Sequence, residues 1–541
     1  MPRDTYKYVC KWGDPTHEEA LEPHAIHFLD KQFGKKVNEG EVYLPGSDKV
    51  HLSQKSRLTE ATIQALKEIV GDNHFDESDI ERAKNSRGKF YLEILEARQG
   101  LIDNVVDAVV YPTTEKEIIK ILELCKKEKI AIVPYAAGSS VTKALQAPKG
   151  GISLNLKYLN KIINLNEENS TVTVEAGVYG PVLEEFLNDK GYTCGHFPQS
   201  FEFSTVGGWV AAKGAGQAST GYGKIENMVL SLRVLSPEGI FQTRDYPAAS
   251  IGPDIFRFFI GSEGVYGVIS RITMKVRKYN PENSKKTSFV FKDFPSAVKV
   301  MREVMQGGFG HPHFFRLQDP EETDISFKMA GLDNSIEDYF LRLLGYEPMK
   351  RCLMHVIVDG DPEYASLVIR KIRRIATKNM AFETGEGPVK KWLKQRYSSA
   401  YLRDALMDRG LMIDTLETAV SWDSLLELWS SVRNYIKKKP NTFCLVHISH
   451  CYENGANLYF IFMSPMDEKN EADLFREFHL GILETIHANN GSLSHHHGIG
   501  RLSTHLLEKE IGILGLNSLR ALKACFDPDG IMNPGGTLGL D

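Results

Sequence analysis

The chain has 541 residues, 42% hydrophobic and 25% charged, with Lys+Arg 65 against Asp+Glu 70 and a formal net charge of −5. That length predicts several domains, the composition excludes a wholly disordered or fibrous chain, and the balance of charge argues against a general nucleic-acid binder. Glycine, at 45 residues, is only slightly above its usual share, but it is unevenly spread.

No run approaches 18 apolar residues, so no transmembrane helix is expected. The opening MPRDTYKYVC has no apolar core of a secretory leader. The end, Gly539-Leu540-Asp541, is not a Ser-Lys-Leu peroxisomal signal. The seven cysteines are sparse and form no Cys-x-x-Cys pair, so a reduced, intracellular protein is expected.

Residues 1–95 read as a polar, mostly helical lead-in outside the folding cores. Within it, LTEATIQALKEIVG carries Leu58, Ile63, Leu66 and Ile69 near helical spacing and stops at Gly71. The texture changes at about 104. Val105, Val106, Ala108, Val109 and Val110 predict a strand ended by Pro112; Thr113-Thr114-Glu115 predicts a capped helix start. IAIVP is a short buried strand opening onto a small-residue loop, and ISLNL, KIINLN and TVTVEAG read as further strands. A helix over 181–190 begins at Pro181 and stops at Gly191. Residues 96–281 are expected to form one α+β domain.

Residues 282–485 form a second block. The runs SFVFKDF, LMHVIVDG, CLVHISH and NLYFIFMS alternate with helices such as PSAVKVMREVMQG and PEYASLVIRKIRRIAT. This pattern predicts an antiparallel sheet covered by helices on one face. Residues 486–541 return to helix and turn. Lys437-Lys438-Lys439 is read as a solvated helix end.

Three glycine clusters fall within 96–281: PYAAGSS (134–140) after a strand, PQSFEFSTVGGWVAAKGAGQASTGYGKIEN (198–227), and GSEGVYGVIS (261–270). Small residues let backbone approach a flat ligand, and a strand opening onto such a loop presents N–H groups that suit a diphosphate. Neither the strand–GxGxxG–helix fingerprint nor GxxxxGK[ST] occurs, so Rossmann and phosphate-loop readings fail.

In their order, these three motifs resemble the FAD-binding domain of the vanillyl-alcohol oxidase class. The resemblance implies an α+β fold with a two-part p-cresol-methylhydroxylase-type (PCMH-type) FAD-binding domain and an antiparallel-sheet cap domain. It implies FAD contacts from Pro134, Tyr135, Ala136, Ala137, Gly138, Ser139 and Ser140; from Pro198, Gln199, Ser200, Phe201, Glu202, Phe203 and Ser204; from Ala211, Ala212, Lys213 and Gly214; and from Ser262, Glu263, Gly264, Val265, Tyr266, Gly267, Val268 and Ile269. No motif for a covalent flavin link is evident, so non-covalent FAD is expected.

Two branches of this class must be separated. FDPDGIMNPGG (526–536) resembles the end of the 2-hydroxy-acid oxidising branch, whose members carry His-x-Gly-Asp-Gly-Asn-x-His and a Glu before a later His-Gly to bind a divalent metal. Here Tyr452 and Tyr459 stand in place of the two histidines, and the later stretch is Ser494-His495-His496-His497-Gly498. Tyrosine, with a pKa near 10, is a poor ligand for a hard divalent ion, so that metal site is expected to be absent.

GSLSHHHGIG (491–500), GHFPQSFEFSTVGGWV (195–210) and ANLYFIF (456–462) together resemble the alkyldihydroxyacetonephosphate synthase family over about 100–525. The resemblance implies exchange of the acyl chain of acyl-dihydroxyacetone phosphate for a long-chain fatty alcohol, through a flavin N5 adduct and without net redox change. It implies Tyr459 as the base that removes the C1 proton, assisted by His495, His496 and His497. Nearby cations are expected to ease ionisation of the tyrosine. Arg316 and Arg403 match two family arginines that suit a phosphate, and Thr415 stands where the family has serine. The chemistry needs a general base within hydrogen-bond reach of C1, and three adjacent histidines cannot all face one point.

Trp209, Trp392, Trp422 and Trp429 are read as packing, His311 and His313 as loop residues, and Cys451 as a buried inert thiol. The alternatives are an FAD-dependent 2-hydroxy-acid oxidoreductase resembling D-lactate dehydrogenase and a non-catalytic flavin-binding protein. A cytoplasmic location, a peripheral membrane contact through segment 319–350 and a homodimer are further expectations.

Overall fold

The computed structural model describes residues 9–13, 20–34, 42–46 and 49–539. The targeting-signal readings rest largely on residues 1–8 and on Leu540-Asp541, which lie outside the described residues.

Among the described residues the FAD half contains two larger sheets and a two-stranded ribbon pairing Tyr192–Thr193 with Arg277–Lys278. In the first, β1 (Phe75–Asp76), β2 (Ala108–Val110), β3 (Ile132–Tyr135) and β4 (Ile152–Asn155) run in the order β1-β2-β4-β3. The pairs β2–β4 and β3–β4 are parallel. Such a sheet is covered on both faces, which is why these strands read as continuous apolar runs and not as alternation. The crossover from β2 to β3 is the helix Glu115–Glu128; the Thr114 hydroxyl accepts the Glu117 N–H at 3.3 Å and caps it. The second sheet is antiparallel: β5 (Ile162–Asn166), β6 (Thr171–Glu175), β7 (Val229–Ser236), β8 (Gly239–Gln242) and β9 (Val268–Lys275), ordered β5-β6-β9-β7-β8.

The cap is a seven-stranded antiparallel sheet of β10 (Lys285–Phe291), β11 (Phe314–Gln318), β12 (Cys352–Val358), β13 (Phe382–Gly385), β14 (Leu411–Ser421), β15 (Phe443–Ile448) and β16 (Gly455–Pro465). Its order is β13-β10-β12-β11-β15-β16-β14. The period of two sorts its residues. Phe315, Leu317, Leu416, Val446, Ile448, Leu458, Phe460 and Phe462 join the apolar core, together with residues of the helices Phe294–Met305, Pro362–Lys378, Leu425–Ile436 and Glu471–Ala488. Arg316, Thr415, Glu417, His447 and Tyr459 occupy the alternate positions of the same strands. The other face is not bare, as helices on one face alone would leave it: Leu411, Phe443 and Met463 pack there against the helices Pro23–Phe33 and Ser399–Met407, and Phe314 against Gly387–Gln395, with the polar side chains set between these patches.

One expectation changes and others are refined. The lead-in is helical but is not outside the cores: Phe90, Tyr91, Leu92, Ile94 and Leu95 are buried in the cap core, and Leu66, Val70 and Phe75 in the FAD-half core. Their apolar faces were short and broken by polar residues, and only partner surfaces supplied later in the chain bury them. The sequence reading also missed β11, β13 and β14. His313 stands in the loop just before β11, as read, but is buried there, and its Nδ1 accepts the Asp359 N–H at 2.9 Å. Lys437 is partly tied down, its ammonium 2.8 Å from the buried Glu321 carboxylate.

Candidate active site

The predicted cofactor segments converge. A Cβ added at Gly264, whose φ is +78°, would lie 2.8 Å from the Pro134 ring, and one at Gly208 would lie 3.2 Å from the Ala136 Cβ. The Glu263 N–H donates to the Ala211 carbonyl at 2.9 Å. Three segments far apart in sequence therefore meet with no room for side chains. Beside them His196 is fully buried, both ring nitrogens lack a partner, and its ring lies 4.7 Å from that of Trp209. This cradle fits FAD: the loop after β3 and the 261–267 turn offer backbone, and the orphaned imidazole awaits a polar partner. The stretch 198–204 also packs against the cap. Gln199 donates to the Arg396 carbonyl at 2.6 Å, and the Phe201 ring stacks on Tyr397 at 5.5 Å.

The cap face meets this cradle through the histidine loop. Glu263 of the FAD half accepts the Gly500 N–H at 2.9 Å and bonds the Thr537 hydroxyl. A Cβ at Gly498 would clash with the same carboxylate.

Glu417 anchors the loop. Its carboxylate accepts the Ser494 hydroxyl at 2.7 Å and the backbone N–H groups of His495, His496 and His497 at 2.5, 3.1 and 2.9 Å. Burial alone would raise this carboxyl. The facing imidazoles and the donated hydrogen bonds outweigh burial and hold it well below the usual range. The imidazoles go the other way: burial lowers all three, His495 to about 3. The loop therefore pairs one ionised carboxylate with neutral rings. His495 also bonds the Tyr452 hydroxyl at 2.6 Å, and Lys224 donates to the His495 carbonyl at 2.6 Å.

Tyr459 lies between two walls. Its ring stacks on His447 at 4.8 Å and 14°, and lies 5.9 Å from His496 and 5.6 Å, edge-on, from His497. Burial pushes its phenol up to about 12, although a hydrogen bond to Thr415 and the charge of Arg316 pull downward. Cations do not win here, contrary to the expectation that they would ease ionisation; desolvation is the larger effect.

The two arginines differ. Arg316 is engaged: it donates to Ser449 Oγ at 3.1 Å and to Glu322 at 2.7 Å, and its Nη2 lies 3.0 Å from His447 Nδ1. Among the described residues Arg403, on the helix Ser399–Met407, donates through Nη1 to the Lys89 carbonyl, while Nε and Nη2 are buried without a partner. Two adjacent free N–H groups on a guanidinium are the fork that binds an oxyanion bidentately. A groove of about 730 Å³, lined among others by Tyr222, Arg277, His313 and Asp359, lies apart from these residues.

Sequence reasoning missed Glu417, His447, His450, Lys224 and His196. A signal existed for Glu417: a lone Glu amid the apolar alternation of LMIDTLETAVS. The missed strand β14 hid it. His447 pairs with Tyr459 in β-sheet register, which no local pattern reveals.

The family description "FAD binding domain" matches residues 106–244, and "FAD linked oxidases, C-terminal domain" matches 280–537. An alkyldihydroxyacetonephosphate synthase of Caenorhabditis elegans is 32% identical over 521 residues, covering 91% of this chain and 87% of that protein. A solved structure of alkyldihydroxyacetonephosphate synthase superposes with a TM-score of 0.83 at 26% identity, covering 98% of both chains. The structure of p-cresol methylhydroxylase shares the fold, with a TM-score of 0.71 at 14% identity, covering 90% of this chain and 98% of that one. Cradle, cap and similarity along most of the length agree: the chain belongs to the alkyldihydroxyacetonephosphate synthase family of FAD-dependent enzymes.

Proposed function

We propose that this enzyme exchanges the acyl chain of acyl-dihydroxyacetone phosphate for a long-chain fatty alcohol. The observation that carries the reading is the buried, free Nε–Nη2 edge of Arg403, which is within electrostatic reach of Tyr459, whose ring faces His496 and His497. A phosphate bound there satisfies two orphaned donors, which are costly when left unpaired. Arg316, already paired to Glu322, holds His447 against the Tyr459 ring and adds positive charge.

FAD held in the cradle around Ala136, Gly208 and Gly264 would supply an electron-rich isoalloxazine for an exchange without net redox change. The chain's own residues manage the proton. Tyr459, at about 12, is scarcely ionised at neutral pH. We assign it a relay role: its phenolic oxygen takes the C1 proton as its own proton passes to His496 or His497. Both rings are neutral and able to accept, and the Glu417 carboxylate stabilises the imidazolium so formed. The proton returns along the same path.

The test is incubation of the FAD-loaded protein with acyl-dihydroxyacetone phosphate and labelled fatty alcohol. Labelled ether product with stoichiometric fatty-acid release is expected. Absence of both, with D-lactate bleaching the flavin anaerobically instead, would favour the hydroxy-acid oxidoreductase reading.

Lipid substrates also call for a bilayer contact, which we place in segment 319–350. The helix Ile336–Leu343 exposes Ile336 (86%), Tyr339 (64%), Phe340 (49%) and Leu343 (67%) at i, i+3, i+4 and i+7. Among the described residues no helix is long and apolar enough to cross a membrane. Co-sedimentation with phosphatidylcholine vesicles, lost in Ile336→Glu/Leu343→Glu, checks this contact.

A further inference from the structure

Three imidazoles from two segments face one another beside the proton relay. His450 follows β15; His495 and His496 belong to the loop held by Glu417. The His450 ring lies 5.0 Å from that of His495 at 18°, and 5.3 Å from that of His496 at 70°. One nitrogen of each ring falls within 4.8 Å of the other two, and His495 Nδ1 lies 2.9 Å from His496 Nδ1. His450 is 5% exposed, and its Nδ1 is buried without any hydrogen-bond partner.

We propose that His450, His495 and His496 bind one divalent first-row transition ion, with Zn²⁺ as its natural probe, and that the ion inhibits the enzyme. Imidazole donors suit zinc and its neighbours over magnesium or calcium. Tetrahedral zinc at 2.0–2.1 Å from each nitrogen places donors about 3.4 Å apart, close to the 2.9 Å pair and within a ring rotation of the third nitrogen. The surrounding shell is already built. Tyr452 hydrogen-bonds His495 Nε2 at 2.6 Å, leaving Nδ1 to face the other rings, and such outer partners orient metal-binding histidines. Glu417 fixes the loop backbone and supplies the nearby negative charge. The hydroxy-acid pattern would put its histidines at Tyr452 and Tyr459, neither of which is a ligand here; the cluster shares with that pattern only the position of its Glu, taken by the histidine run, and adds His450. Inhibition follows where the relay runs through His496, because the ion would occupy the lone pair with which that ring accepts the proton.

The test uses FAD-loaded protein and Co²⁺, read by ligand-field absorption. One equivalent per chain is expected, displaced by Zn²⁺, with at least 10-fold weaker binding in His450→Ala that keeps its flavin spectrum. Equal Co²⁺ affinity in wild type, His450→Ala and His495→Ala overturns the proposal. If His450→Ala loses FAD, His450→Gln makes the same comparison. The binding readout stands whether or not the transferase reading holds. Where turnover is measurable, Zn²⁺ should suppress it and EDTA restore it; turnover unchanged by bound Zn²⁺ refutes the inhibitory role.

Discussion

The cofactor cradle and the cap face make their sites by opposite means. The cradle is built from absences: Gly208 and Gly264 let segments touch where a Cβ would meet Ala136 or Pro134. The cap face is built from side chains, and its groups gain their character from burial: Tyr459 pushed up to about 12, Glu417 held low, His495 lowered to about 3. A site made of backbone is broken by adding atoms. A site made of tuned side chains is broken by changing one functional group.

The sharpest separation is expected from Tyr459→Phe. Loss of the phenolic oxygen should cut transferase turnover by about 10²–10⁴-fold while FAD absorbance and thermal midpoint stay near wild type. A variant that loses its flavin would show that the two regions do not act separately. Gly264→Val should do the reverse. With φ at +78° and Pro134 2.8 Å from the new Cβ, it should cost about 2–4 kcal/mol and be purified largely without FAD. Retained flavin occupancy in that variant would mean the cradle tolerates side chains after all.

A third comparison uses pH. His495 falls to about 3 in the fold against about 6.5 in the unfolded chain. Below pH 6.5 the unfolded state therefore binds a proton that the native state refuses, and stability falls as pH falls. His495→Gln removes this liability. The stability gap between wild type and variant should move in favour of the variant by about 2 kcal/mol between pH 7 and pH 5, measured by urea unfolding. A gap that does not change with pH would mean His495 is not kept neutral. The smallest effect is expected at Thr415, whose hydroxyl hydrogen-bonds Tyr459. Thr415→Val should cost about 1 kcal/mol in turnover, roughly fivefold, and Thr415→Ser should be silent.

The cradle was legible because each part is contiguous. PYAAGSS, FSTVGGWV and GSEGVYGVI each state locally that backbone must approach something. On the cap, four strands were legible from alternation, and the reactive residues only where a motif survived, at Tyr459, the triple histidine, Arg316, Arg403 and Thr415. Glu417 went unread because a carboxylate on a strand is ordinarily a solvent-facing residue; its burial under the histidine loop depends on a contact 77 to 80 residues away. His447 went unread for the same reason: its neighbour Tyr459 is supplied by strand pairing.

By itself, the sequence determined the α+β class, the FAD cradle and the presence of tyrosine, arginine and histidine chemistry, because small-residue motifs and alternation act at short range. The tertiary structure alone decided which side chains meet and in what protonation state. It set Arg403 with a free edge and Arg316 without one, and it placed a buried carboxylate beneath three backbone N–H groups. It made burial, not nearby charge, the larger influence on Tyr459. Desolvation is a property of what surrounds a group in space, and no run of neighbouring residues records it.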